Sequence, residues 1–423
     1  MKSSHLLPTK LTTLAALVLL SACTVGPDFE TPTASPSQHY DQQAEQRLGQ
    51  GGSQRIALGN KVRGQWWSAL GSPKLDQVMR RAIDGNLELV AADATIRQAA
   101  QSVAAAQGAL YPQVDFGATA GRQRVHNAKE PSITNFYAIG PRVGFDLDVF
   151  GGNKRLIEQQ QAFTDLQTHR YEAAYLTLTG EVASQALLVA SANAQMQAVE
   201  TLLDNDVRNL ELVRAAHVNG TTTQIDVSLA ETRLAQDRTL LPPLAQQRDA
   251  ARHALSILTG KGPADWIAPD FHLDEFALPS NVPVSLPSEM AHDRPDVRQA
   301  AVEGYNATLA GYQQTVISSF GQVADTLQAI NHDAQAYRAQ EDALQAADSS
   351  LRLNRQAFAQ GENGILQVLE AERAYQQALL GQVRVKTAQY LDTVQLFVAL
   401  GGNSVGVFEQ QVASRETARR SYQ

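Results

Sequence analysis

The sequence holds a single cysteine, Cys23, so no disulfide can form within the chain and oxidation is excluded as a source of its stability. Long apolar runs are scarce too. Leu11–Leu20 is too short to span a bilayer, and no second stretch reaches the required length, so any membrane crossing by the mature chain falls to strands. Excess basic charge is also missing: a net charge of -8 and a pI near 5.6 argue against nucleic acid as a partner. The nine histidines are scattered, with no pair at metal-ligand spacing. No glycine-rich phosphate loop opens a helix, and Gly151-Gly152 reads better as a break between strand and helix. His292-Asp293 has no nucleophile within reach by sequence. No enzyme, metal site or cofactor is therefore expected.

Proline is absent from Asn153 to Val218, and that gap shows what is present. A helix of that span would reach roughly 100 Å at 1.5 Å per residue. Apolar residues recur at three and four (Val182, Ala186, Val189; Val199, Leu202, Leu203, Val207, Leu210, Val213) among many alanines. That is a coiled-coil-like seam, which needs partner helices to cover it. The run repeats. At an offset of 141 positions Gly180, Val182, Leu210, Arg214, Gly220, Val227, Glu231 and Gly260 all meet an identical residue. In each copy a long helical run ends at a mid-point glycine (Gly220, Gly361) and a second ends at Gly260 or Gly401. Glycine just past a helix end accepts the left-handed conformation that closes it, so the spacing predicts two helical hairpins. Leu241-Pro242-Pro243 should kink or restart the first return helix.

The start has the form of a secretory signal over residues 1–22: Lys2, His5 and Lys10, then the apolar run, then Leu20-Ser21-Ala22-Cys23. Those four residues match a lipobox, so Cys23 is the expected lipid attachment site. Residues 23–65 are rich in Pro, Ser and Gln and read as an extended segment lying on something else. Asp76–Ala109 reads as a helix stopping at Tyr111-Pro112. Within 111–150 two stretches alternate: Val114, Phe116, Ala118 and Ala120, then Val143, Phe145, Leu147 and Val149. Alternation with one apolar and one polar face suits strands between lipid and a wet lumen, although a soluble hairpin against a core would show the same pattern. Tyr111, Phe136, Tyr137 and Phe150 are expected at the strand ends, as an interfacial aromatic belt.

Cys23-Thr-Val-Gly-Pro-Asp-Phe-Glu-Thr-Pro32, Trp66-Trp67, Leu75-Asp76 and Asn86-Leu-Glu-Leu89 resemble the opening of the NodT-type branch of the TolC-like outer membrane factors. Leu286-Pro-Ser-Glu-Met290 and Arg294-Pro-Asp-Val297 extend the resemblance. It implies a mainly α fold: long antiparallel helical hairpins forming an α-barrel tunnel, plus a membrane β-hairpin given to a shared β-barrel. It also implies a homotrimeric outer-membrane lipoprotein of tripartite efflux systems, reaching into the periplasm, with an adaptor protein and an inner-membrane transporter as partners. The turns at Gly220, Thr221, Thr222 and Thr223 and at Gly361, Glu362, Asn363 and Gly364 are then the expected adaptor-docking tips. Asp226, Glu231, Gln367, Glu370 and Glu372 follow them; they could line a cation-selective constriction, or be solvated charges in the first helical turns. Tunnel hairpin 153–259, connector 261–287, second repeat 288–401 and polar tail 402–423 complete the expected order.

The second repeat departs from the family. Leu87-Glu88-Leu89 aligns with Pro295-Asp296-Val297 at an offset of 208, whereas everything from Tyr171 onward aligns at 141. The difference, 67 residues, is missing near Ala301-Val302, and the counterpart in the first repeat, 94–160, holds both strands. The second repeat is therefore expected to lack a strand pair, which leaves open a non-conducting variant, a larger oligomer, or a lipid-anchored scaffold without a pore.

Overall fold

A computed structural model describes residues 37, 39–48, 54–62, 64–126, 131–302, 307–402, 407, 408 and 410. The signal segment, Cys23 and most of the tail lie outside the described residues. The elements are α1 (Gln42–Leu48), β1 (Arg55–Leu58), α2 (Pro73–Gly85), α3 (Leu87–Gly108), β2 (Gln113–His126), β3 (Pro131–Gly144), α4 (Gly152–Val218), α5 (Gln224–Arg238), α6 (Leu241–Leu258), β4 (Asn281–Val284), α7 (Pro287–Asp293), α8 (Pro295–Val302), α9 (Ala307–Ala359) and α10 (Ile365–Ala399). Of the described residues, those within 93–168 form one compact unit, and those before 93 and after 168 form another.

The larger unit is built from the two hairpins, α4 with α5 and α6, and α9 with α10. Most of the seam read from the sequence is buried: Val182, Ala186, Val189, Val199, Leu202, Leu210 and Val213 are, Leu203 is half-buried, and Val207 is exposed. Gly180 lets α4 approach α10 closely, since a Cβ there would stand 2.7 Å from Cγ2 of Val398. One 18-residue window of α4 is apolar enough by composition to cross a bilayer, against expectation, but 61% of it is buried. It serves as the core of a helical body. The proline pair acts as read: α5 ends at Arg238, and α6 restarts at Leu241 with prolines in its first turn, where no N–H is needed.

Three expectations for this unit are corrected. The helix expected over 76–109 is broken at Asn86, which takes extended backbone (φ -66, ψ 125). Its Oδ1 accepts from the Glu88 and Leu89 amides at 3.0 and 3.1 Å, and its Nδ2 donates to the Leu258 carbonyl at 3.0 Å. An asparagine side chain competes well for backbone groups, so it ends α2 and caps α3 at once. The N-terminal segment is not wholly extended, since it contains α1. The connector 261–287 is not irregular throughout either, because β4 pairs in parallel with β1, Arg55↔Asn281 through Leu58↔Val284. Around this clasp Trp66 stacks on Phe397 at 5.4 Å, Trp67 is 1% exposed, and Gln54 Nε2 donates to Thr393 Oγ1 at 3.0 Å.

In the smaller unit, β2 and β3 pair antiparallel from Gln113↔Gly144 to His126↔Pro131. The second strand thus lies upstream of the 142–149 alternation read from sequence. Pro141 disguised it, because proline reads as a breaker, yet it stands inside the ladder opposite Phe116. Phe145, Leu147 and Val149 fall outside the ladder; Pro112, just before β2, has no N–H with which to extend it. Asp148, at φ 43, instead turns the chain into α4, its carboxylate accepting the Asn153 and Lys154 amides at 2.9 and 3.1 Å.

In the second repeat α8 and α9 follow one another with residues 303–306, outside the described set, between them. Val297, Tyr312 and Val316 share a core with Ala291, and Ala300 and Phe320 pack against it. Among the described residues no strand lies between α8 and α9.

Candidate functional site

Two surfaces carry the functional argument, one on each unit. On the strand pair, Val114, Phe116, Ala118 and Ala120 lie opposite Val143, Pro141, Ile139 and Tyr137, so one face is continuously apolar. It is open: Phe116 is 73% exposed, Ile139 76% and Tyr137 81%. The other face carries Gln113, Asp115, Thr119 and Gln123, with Asp115 directly opposite Arg142. A strand pair apolar on one side and polar on the other fits between hydrocarbon and water. The aromatic belt is not placed as expected. Phe136 and Tyr137 lie within β3, and the Phe136 ring lies over Gly121, where a Cβ would collide with it. Only Tyr111 and Phe150 fall just outside the ladder.

The helical body ends in two tips with the same internal bonding. In the first, the Thr221 amide donates to Ala216 and the Gly220 amide to His217, at 3.0 and 2.9 Å. In the second, Glu362 donates to Ala357 and Gly361 to Phe358, at 2.8 and 3.0 Å. Each equivalent pair differs by the repeat offset, and Gly220 and Gly361 take φ +73 and +75. This is the Schellman closure, in which a left-handed glycine lets two amides reach back to otherwise orphan carbonyls. Thr222 Oγ1 also donates to Val213, and Asn363 Nδ2 to Asn354, both at 3.3 Å. The tips then diverge. Thr223 and Asp226 form a reciprocal capping box, whereas Gly364 caps α10 without a side chain.

The acidic residues after the tips separate by environment. Asp226 is committed to Thr223, whose amide and hydroxyl hold its carboxyl below the usual range. Glu231 pairs with Arg214 at 2.6 Å, and its equivalent Glu372 pairs with Arg355 at 2.9 Å. Glu372 is buried and also accepts from Asn209 Nδ2 at 2.8 Å. Its carboxylate is thus engaged inside this chain. Gln367 and Glu370 are exposed, and Glu370 lines a groove of about 430 Å³ with Asp226, Leu229, Arg233, Asp237 and Leu366.

Sequence reasoning missed two acid pairs, each bridging the helices of one hairpin: Asp206 of α4 with Asp237 of α5, and Asp333 of α9 with Asp392 of α10. Burial, then the partner carboxyl, pushes Asp206 and Asp333 up to about 7, with Arg233 opposing and Glu372 adding to the effect at Asp206. One oxygen of each, Oδ2, is buried without a donor.

End-matched helical hairpins on one unit and a strand pair with an open apolar face on the other define a class of outer-membrane protein that joins long helices to barrel strands. The chain belongs to the outer membrane efflux protein family, whose model matches residues 78–261 and 292–402. It is 28% identical over 305 residues to the pyoverdine export outer membrane protein OpmQ of Pseudomonas aeruginosa, a match covering 69% of this chain but only 61% of that relative. With the toluene efflux pump outer membrane protein TtgC of Pseudomonas putida it shares 24% identity over 483 residues, covering 95% of this chain and 97% of TtgC. That alignment is longer than the 423 residues available, so segments of TtgC stand opposite gaps. The fold is similar to that of the outer-membrane channel OprN, with a TM-score of 0.80 at 19% identity, covering 90% of this chain and 99% of that one. The family is one of transport components, and the resemblance read from the opening motif stands.

Proposed function

We propose that the chain is by descent the outer-membrane component of a tripartite efflux system for small toxic compounds, a homotrimer that engages a periplasmic adaptor and an inner-membrane transporter. The observation that carries this reading is the family match across both hairpins, which takes in both tips. The tips are the docking ends: two bonded alike per chain give six similar contacts in a trimer. Cysteines placed at Thr222 and Asn363 are expected to cross-link to an adaptor hairpin. Cross-links only near the β1–β4 clasp would move the docking site. Of the constriction candidates, Gln367 and Glu370 are the ones whose side chains remain available.

Cys23 anchors the mature chain to the outer membrane, and Thr24 beside it is not the aspartate that commonly retains lipoproteins in the inner membrane. Cys23→Ser should abolish acyl labelling. Persistent labelling, or a native protein that fractionates as soluble, would count against the anchor.

With one antiparallel strand pair of barrel type, β2 with β3, among the described residues, a trimer owns six such strands. A closed barrel of about eight strands already leaves room only for side chains, so six cannot pass a drug-sized solute. This chain as written is therefore efflux-defective while descended from efflux proteins. The purified oligomer in a planar bilayer should show no conductance, and it should not restore drug resistance to a channel-null strain; conductance with restored resistance overturns this reading. The missing pair also favours a second reading, a lipid-anchored scaffold that binds the adaptor without a pore.

A further inference from the structure

The segment that the second repeat lacks corresponds to 94–160 of the first repeat. Independently of any repeat, the fold divides at nearly the same places, since the smaller unit runs over 93–168. One boundary comes from comparing the chain with itself and the other from which residues pack together. Their agreement means that the missing piece is a structural unit.

What the second repeat keeps is intact. α8 begins where α3 begins in the first repeat, and α9 runs to its tip as α4 does. Across the join, Ala291, Val297, Tyr312 and Val316 form a core of their own. Arg294, just before α8, is held by Asp296 at 2.7 and 2.9 Å, by Gln322 at 3.0 Å and by the Ala399 carbonyl at 3.1 Å. Arg298 reaches the buried Glu172 of α4 at 3.1 Å. A repeat without its strand-bearing unit thus closes on four intervening positions and still packs into the body. The open apolar face formed by Phe116, Tyr137 and Ile139 belongs wholly to the smaller unit.

We infer that residues 93–168 are a self-contained membrane cassette, and that the helical body folds without it. The word membrane rests on the reading of the strand pair given above; the independence of folding does not. The second repeat is the form a repeat takes once its cassette is gone. The lipid surface is the cassette's partner, and among the described residues the body holds only the short β1–β4 pair.

The test makes the first repeat resemble the second. In a Cys23→Ser background, which removes the acyl anchor, residues 94–165 are replaced by the segment Val302–Asn306. A reciprocal variant inserts a second copy of 94–160 between Ala301 and Val302. The first variant is expected to unfold in one cooperative transition with its helical signal retained, and to lose the binding to phosphatidylethanolamine–phosphatidylglycerol vesicles that the Cys23→Ser parent shows. The second should also unfold cooperatively and should gain a protease-protected strand pair in those vesicles. Failure of either variant to fold cooperatively overturns the inference, and so does vesicle binding retained by the first. A parent that does not bind vesicles breaks the membrane reading instead, while the folding measurements still decide whether the body is independent.

Discussion

Replacing Gly260 by alanine is expected to destabilise the helical body by more than about 3 kcal/mol, adding left-handed strain to an overpacked contact. Gly260 has φ +72, and a Cβ there would stand on the carbonyl oxygen of Gly85. That neighbour is backbone, fixed in turn because a Cβ on Gly85 would stand 2.5 Å from the Thr259 carbonyl, and because Asn86 beside it is bonded to Leu258. Neither side can yield. Gly220 and Gly361 make the internal comparison, with the same sign of φ and open space around them. Alanine at either should cost only the conformational strain, about 1–2 kcal/mol. Chemical denaturation of the three variants measures the difference, and equal losses at all three would show that the contact with Gly85 contributes nothing.

The second large effect is on pH. Asp206 and Asp333 are raised from 3.8 to about 7 in the folded chain. Between those values the folded state holds protons that the unfolded state has released, so stability falls as pH rises. The contribution is fully present below pH 4, is lost through the window up to about 7, and is constant above it. The thermal midpoint of the native chain should therefore drop steeply from pH 5 to pH 8. Asp206→Asn with Asp333→Asn supplies a permanent donor to each pair and should flatten that slope, with the gain in midpoint largest at pH 8. A double variant that keeps the full slope would assign the pH dependence to other groups.

Those acid pairs also show where the sequence falls silent. The repeat made much of the body legible, because glycines at Gly220, Gly260, Gly361 and Gly401 punctuate both copies and all four take positive φ. Arg214 and Glu231 were both among the identities at the 141 offset, so the paired ion bridges Arg214–Glu231 and Arg355–Glu372 could have been foreseen. The aspartates had no such signal, since their equivalents are Ala347, Ala378, Ala192 and Ala251. They arise where one copy alone needs a contact. The β1–β4 pairing was hidden for another reason: four-residue strands are too short for alternation to register, and their partner is remote in sequence. At β3 the local signal was weak, because Pro141, which reads as a breaker, stands inside the ladder opposite Phe116.

The clasp between Arg55–Leu58 and Asn281–Val284 also sets an order of events as the chain is made and exported. β1 emerges early, but its partner follows only after the entire first repeat has passed. Contacts so far apart along the chain form late, because the intervening segment must give up its freedom before the pairing returns anything. Trp66 and Phe397 meet the same delay, since Phe397 lies near the end of α10. The N-terminal segment therefore waits without a partner through most of synthesis, while each helical hairpin can close on neighbours already present. Final locking of the clasp falls to the last-arriving residues, and a chain interrupted before Asn281 leaves β1 without its strand partner.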